Sequence, residues 1–254
     1  MSNSKGLQDN YSELMGHNVF DVAGRIKKAE KIIKILRNFY KEDLKNSTIL
    51  DYGSSTGIIA THLSNEVALV KGIDIDKKAV EYARDYAKSQ KVKNVQFYSS
   101  KVELGNEKFD IIICNQIYEH VENQQELVND LYSLLKDDGV IYFGATNKYI
   151  FLEPHYRLPL LSWFPKKISN FYIALFTKHK SYYEDLLSYK GLERLLKDFE
   201  ITDVSVELIK APEKYAANDI KSLKYISKIP RVILKLLMFF SPNWVFILKK
   251  KKSL

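Results

Sequence analysis

The chain has 254 residues, 46% of them hydrophobic and 28% charged. That balance excludes a wholly disordered chain and fits one large α/β domain. Ten Gly and six Pro exclude a collagen-like or linker-dominated chain, and the single cysteine, Cys114, excludes an intramolecular disulfide or a Cys-rich zinc site.

The first twenty residues are polar and contain no apolar core of signal-peptide length. No apolar stretch reaches the ~18 residues a spanning helix needs. The expected compartment is therefore the cytosol. From Val22 to Lys41 the residues Ile26, Ala29, Ile32, Ile33, Leu36 and Phe39 recur at three and four, the stripe of an amphipathic helix. STILDYG reads as a strand closed by Gly53, followed by a helix over 56–66. VALVKGIDID is a second strand, 79–90 a helix and VKNVQFYS a third strand. FDIIICN is a fourth strand, apolar enough for burial on both faces. A helix over 124–136 and the strand VIYFGAT complete the series.

Alternating strands and helices predict a mostly parallel sheet covered on both faces. Ligands of such sheets bind beyond the carboxyl ends of the strands, where the strand order reverses. That places Asp51–Gly57, Asp74–Asp76 and Asn115–His120 around one crevice. Residues 148–180 break the rhythm with eight aromatics, six basic residues and one acid, Glu153. They read as an insertion over the crevice mouth. A helix is expected over 183–199, then the strands ITDVSVELI and NWVFILKK. The whole is one domain: an N-terminal helical segment (1–45), a core (46–147), the insertion (148–180) and a C-terminal part (181–254).

The strongest local signal is ILDYGSSTG, a strand running into a glycine turn and a helix. Gly53 permits close approach of a ligand to the backbone. Free N–H groups at a helix start favour an anion or carboxylate. The dinucleotide fingerprint is excluded, because Ser55 and Ile58 stand where its later glycines belong. Asp74 closes the second strand, where an acid accepts from both hydroxyls of a ribose.

ILDYGSSTG, GIDID, FDIIICNQIYEHV and LLKDDGVIYFGATN, in this order and spacing, resemble the four motifs of class I S-adenosylmethionine-dependent methyltransferases. The likeness covers residues 25–147, and 181–210 more loosely. It is strongest to the small-molecule branch that includes quinone-biosynthesis O-methyltransferases. The resemblance implies a Rossmann-like, mostly parallel seven-stranded sheet and the cofactor S-adenosyl-L-methionine. It implies Asp51, Gly53, Ser54, Ser55, Thr56 and Gly57 around the methionine part, and Asp74 on the ribose. Ile75 would pack on the adenine, with Asn115 and Gln116 along the crevice floor. Two departures stand out. Ser55 replaces a frequent glycine, and Ser100 stands where the family often has an adenine-binding Asp.

A hydroxyl nucleophile needs a base, and a neutral imidazole suits the task. His120, beside Glu119, is one candidate. His155, in Glu153-Pro154-His155, is the other, and similar E-P-H segments occur in methyltransferases of glycan pathways. His17, His62 and His179 read as structural or solvated. The fourth strand is followed by Asn115-Gln116-Ile117-Tyr118, without the proline of base-amine methyltransferases, and Cys114 falls in a buried strand where a thiol is inert. No H-E-x-x-H spacing occurs; Glu119 and His120 could join a metal site, but no metal is assigned.

Of the 39 basic and 31 acidic residues, residues 209–254 hold 11 Lys and Arg against Glu213 and Asp219, leaving 28 and 29 in 1–208. The net charge of +8 is thus a property of the tail. Lys221, Lys224, Lys228, Arg231 and Lys235 would form one helical stripe, with Pro230 starting a second helix that is apolar almost all round. Packing against the sheet, binding of a membrane surface through 220–252, and, less favoured, nucleic-acid binding all fit this pattern. The leading reading is O-methylation of a small or lipid-linked acceptor, of sugar-precursor or isoprenoid-quinone type. RNA methylation and a non-catalytic scaffold are the alternatives.

Overall fold

The computed structural model describes residues 20–40, 43–179, 181–217, 220 and 222–252. The expected polar start of the chain, His17 and Lys221 lie outside them. Seven strands form one sheet in the order β3-β2-β1-β4-β5-β7-β6. They are β1 (Thr48–Tyr52), β2 (Leu69–Ile73), β3 (Val95–Tyr98), β4 (Phe109–Asn115), β5 (Leu135–Thr146), β6 (Phe199–Asp203) and β7 (Asn243–Lys250). β1 to β5 pair in parallel, and β7 runs antiparallel to both β5 and β6.

Period-two alternation explains why both faces are covered. In β1, Ile49 joins one core cluster and Leu50 the other; in β4, Ile111 and Ile113 face one way, Ile112 and Cys114 the other. One face carries α1 (Val22–Phe39), α2 (Ile58–Leu63) and α3 (Lys77–Ser89), with buried Ala29, Ile32, Ile59 and Ala83. The other carries α4 (Gln124–Leu134) and, after the insertion helix α5 (Lys166–Phe176), α6 (Tyr189–Leu195), with buried Leu127, Leu131 and Leu192. Asp21, Asp76 and Asn123 cap α1, α3 and α4 by accepting from backbone N–H groups in the first turn.

Several boundaries differ from the sequence reading, three of them in ways that change the fold's outline. The stretch expected as the strand 201–209 stops at Asp203, and Ser205–Lys210 is a helix, α7. The Asp203 carboxylate accepts from the Ser205 N–H at 2.9 Å and turns the chain. The expected helix over 183–199 is only α6, started by Ser188, whose hydroxyl accepts from the Gly191 N–H at 3.2 Å. β5 begins five residues earlier than VIYFGAT, through a register irregularity opposite Phe109–Ile111.

The insertion builds a small core of its own from Tyr156, Leu161, Ile173 and Tyr182. The tail forms two short helices, α8 (Leu223–Ile226) and α9 (Arg231–Leu237), on either side of Pro230, which is the residue just before α9 rather than its first. Lys224 lies in α8 and Arg231 and Lys235 in α9, so among the described residues the basic side chains do not share one helix. Leu234 and Met238 are buried, whereas Val232 and Leu236 are 74% exposed. Among the described residues no helix is long and apolar enough to cross a membrane.

Candidate active site

The carboxyl ends of β1, β2 and β4 open into a cleft of about 830 Å³. At its base the chain leaves β1 through a main-chain device. The N–H groups of Gly53 and Ser54 both donate to the Ile73 carbonyl, at 2.8 and 2.9 Å. Gly53 has φ +80°, and a Cβ there would sit 2.2 Å from Ile117 Cδ1, so a side chain would strain the backbone and displace Ile117. Ser55 also lies in the left-handed region, and its N–H donates to Asp74 Oδ2 at 2.7 Å. The other Asp74 oxygen accepts from the Asp76 N–H at 3.0 Å. The ribose acid of the sequence reading is thus held at both oxygens by the backbone.

Asp51, Gly53, Ser54, Ser55, Asp74, Ile75, Ser100, Asn115 and Gln116 all line the cleft. Thr56 and Gly57 do not. Thr56 is fully buried, and Gly57 starts α2 against Ala83 and Phe97, where a Cβ would come within 2.6 Å of the Phe97 ring. Those two shape the loop from behind. Ile75 is 51% exposed at the cleft, a bare apolar face. The Ser100 hydroxyl accepts from the Val102 N–H and so starts the 3₁₀ turn Lys101–Leu104. Gln116, at φ +58°, accepts from Lys28 Nζ at 3.0 Å.

Sequence reasoning missed Arg25 and Lys28, which α1 brings to the same cleft. They sit on the polar edge of the helix, where a basic residue looks like any solvated one. Burial, with Arg25 and Lys31 nearby, lowers Lys28 to about 8.

The same cleft is lined by Glu119, His120 and His155. The insertion does reach the crevice mouth, through Pro154 and His155. The two imidazoles meet edge to face with centroids 5.1 Å apart. Glu153 Oε2 accepts from the His155 and Tyr156 N–H groups, and Oε1 engages His155 Nδ1 at 2.8 Å. Glu184, which no sequence signal marked, brings Oε1 to 3.8 Å from the same nitrogen. Burial and His155 push His120 down to about 3. Burial also depresses His155, but the Glu153 hydrogen bond and the charges of Glu184, Glu153 and Glu119 outweigh it and raise it. Burial lifts Glu119 to about 7, although Thr146 donates to its Oε1 at 2.7 Å. His62 and His179 lie away from the cleft, and His179 rests edge-on against Tyr156. Cys114 is fully buried with its thiol pushed up, as its strand position implied.

Residues 43–200 match the family described as "Methyltransferase domain". A ubiquinone biosynthesis O-methyltransferase of Rickettsia canadensis is 32% identical over 171 residues, covering 65% of this chain and 70% of the relative. One of the same description from Coxiella burnetii is 26% identical over 131 residues, covering half of this chain and 56% of the relative. Among solved structures, the plantazolicin methyltransferase BpumL with S-adenosylhomocysteine (SAH) superposes with a TM-score of 0.59 at 17% identity, over 98% of this chain and 94% of its own. The magnesium protoporphyrin IX methyltransferase of Synechocystis with S-adenosylmethionine gives 0.58 at 13% identity, over 99% of both chains. These two likenesses concern the fold.

Asp51 supplies a test of the site's electrostatics. It is 5% exposed, and burial, opposed by Arg25 and assisted by Asp74, raises it to about 7. A carboxyl raised above its unfolded value binds more protons when folded. It therefore costs stability as pH climbs through the window between its unfolded value near 4 and about 7. Asp51→Asn is expected to raise the melting temperature more at pH 8 than at pH 5, by a difference of roughly 2 kcal/mol in stability. Calorimetric melts at the two pH values check it, and an equal effect at both contradicts it.

Proposed function

We propose an acceptor class and a division of labour for this chain, which belongs to the methyltransferase-domain family and is an S-adenosylmethionine-dependent methyltransferase. The cofactor binds at the Gly53 pole of the cleft, and an oxygen acceptor binds at the His120–His155 pole. The carrying observation is that one continuous cleft joins the two poles. Several features support the cofactor's fit. The Gly53 turn disfavours a side chain, the Asp74 carboxylate is fixed by two N–H groups, and Ile75 offers an apolar face.

The cofactor brings a methyl group on a positively charged sulfur, so the reactive carbon is its own. The chain's part is alignment and proton handling. Asp74, already oriented, accepts from the ribose hydroxyls, and Asp51 faces the methionine amino group. Asn115 and Gln116 floor the cleft, Gln116 being braced by Lys28. The histidine wall receives the acceptor's hydroxyl. Burial of that wall keeps competing water away from the hydroxyl.

The acceptor proposed is small or lipid-linked, of isoprenoid-quinone type, with a sugar-linked precursor as the other member of the class. The description of the Rickettsia and Coxiella relatives supports the first. An RNA acceptor is disfavoured, because Asp74, Asp76, Glu122, Glu126 and Asp130 outnumber the basic Arg25, Lys28 and Lys101 along the cleft and disfavour phosphates.

The tail supports docking at a membrane surface from the cytoplasmic side. Val232, Leu236, Phe239 and Phe240 are at least half exposed, and the insertion's Phe171, Leu175 and Phe176 are more than 60% exposed. Ring stacking of Phe239 on Tyr149 and of Phe240 on Trp163 joins tail to insertion. Arg231 and Lys235 lie in the tail helix itself. Apolar anchors with a basic rim fit an anionic lipid surface.

Titration of the protein with SAH is expected to show saturable binding. Asp74→Ala should weaken it about 10- to 100-fold, the worth of lost charge-assisted hydrogen bonds. A folded wild type that does not bind would overturn the enzymatic reading. For docking, the chain is expected to float with vesicles containing phosphatidylglycerol, and a Leu236→Glu/Phe240→Glu variant to stay behind. Equal flotation of both proteins contradicts that surface.

A further inference from the structure

Three segments that are remote in sequence converge at the acceptor pole. Glu119 and His120 follow β4, Glu153 and His155 come from the insertion, and Glu184 lies between α5 and α6. Main-chain bonds hold them in place. Asp185 N–H donates to the Glu119 carbonyl at 2.9 Å, and Lys166 Nζ donates to the Glu184 carbonyl at 2.6 Å. His120, His155 and Glu184 each offer a ligand atom, and these atoms lie within 4.8 Å of one another. Donor atoms ~2.0–2.2 Å from a tetrahedral ion lie about 3.3–3.6 Å apart. Side-chain rotations that close gaps of up to roughly 1.5 Å bring the set onto one centre.

The cluster holds more carboxylates than cations: among the described residues His155 pairs with Glu153 and Glu184, and Lys28 acts on Glu119 through its charge. Glu119, Glu153 and Glu184 are at most 1% exposed. Glu119 Oε2 and Glu184 Oε2 are buried and accept no hydrogen bond among the described residues. Lys166 spends its ammonium on the Tyr182 and Glu184 carbonyls and on Asp185. Buried carboxylates in native proteins are paired or coordinate a metal. The arrangement around His155 has the form of a metal site's outer layer. Its Nδ1 is held by Glu153, which leaves Nε2 for a ligand, and a carboxylate behind a ligating histidine orients the ring.

We propose that His120, His155 and Glu184 bind a divalent first-row transition ion, of which Zn²⁺ is the type, with Glu153 orienting His155. Two imidazoles and one carboxylate form a donor set that leaves a position open. The inference deepens the reading of this wall as the acceptor pole and rests on it for its catalytic meaning. An acceptor hydroxyl in the open position gives up its proton to solvent more readily. The oxygen's electron pair then forms the new O–C bond to the cofactor's methyl, while the C–S pair returns to sulfur and leaves neutral S-adenosylhomocysteine.

The test loads the full chain with Zn²⁺ or Co²⁺, removes free ion by desalting, and counts retained metal by mass spectrometry. Retention of one ion per chain is expected, with visible absorption bands for Co²⁺. Glu184→Gln and His155→Gln should reduce retention to background, and Glu153→Gln should weaken affinity about 10- to 100-fold. SAH binding, measured on each variant, is expected to persist and reports the fold independently. A wild type that retains no ion overturns the site, as does a Glu184→Gln variant that binds SAH and retains as much ion as the wild type. Ion retention by a chain that does not bind SAH upholds the metal site while removing the methyltransferase reading.

Discussion

The Ile73 carbonyl accepts two N–H groups, those of Gly53 and Ser54, and the rest of the site hangs on that junction. It ties the ends of β1 and β2 together and fixes where the loop turns. From there the Ser55 N–H can fall on Asp74. The turn suits Gly53, which carries no side chain, with Ile117 of the loop after β4 packed directly on it. The same isoleucine precedes the Glu119–His120 pair by two and three residues. The glycine turn and the histidine wall are therefore mechanically linked, across the floor of the cleft.

Much of this was legible in the sequence. Strands β1, β2, β4 and β5 announced themselves as apolar runs, because a strand buried on both faces has little freedom of composition. The crevice followed from topology alone, and the residues that argument put around it line it except Thr56, Gly57 and Tyr118. Thr56 and Gly57 were read as cleft residues but stand behind it, since spacing along a loop does not say which side faces the ligand. The helix α7 was hidden by Val204, Val206 and Ile209, which suit a strand. A single side-chain bond, Asp203 to Ser205, tips the chain into a helix.

The acceptor pole was legible only in fragments. Glu119–His120 and Glu153–His155 could each be noticed as a pair, but nothing in the sequence joins them. Their convergence depends on the insertion folding over its own small core and on the stretch before α6 remaining extended. Glu184 falls in that stretch and carries no local signal. The two poles differ in kind. The cofactor side is built from backbone groups and glycine geometry, and the acceptor side from long-range contacts among buried ionisable groups. The insertion carries both His155 at the cleft and the exposed Phe171, Leu175 and Phe176.

The central claim is that one cleft presents the cofactor's methyl to the histidine wall. Nuclear Overhauser measurements on the full chain with cofactor labelled with ¹³C at the transferable methyl test it most directly. The account predicts cross-peaks from that methyl to imidazole protons of His120 or His155. A bound cofactor whose methyl shows contacts elsewhere in the chain but none to either ring would contradict it.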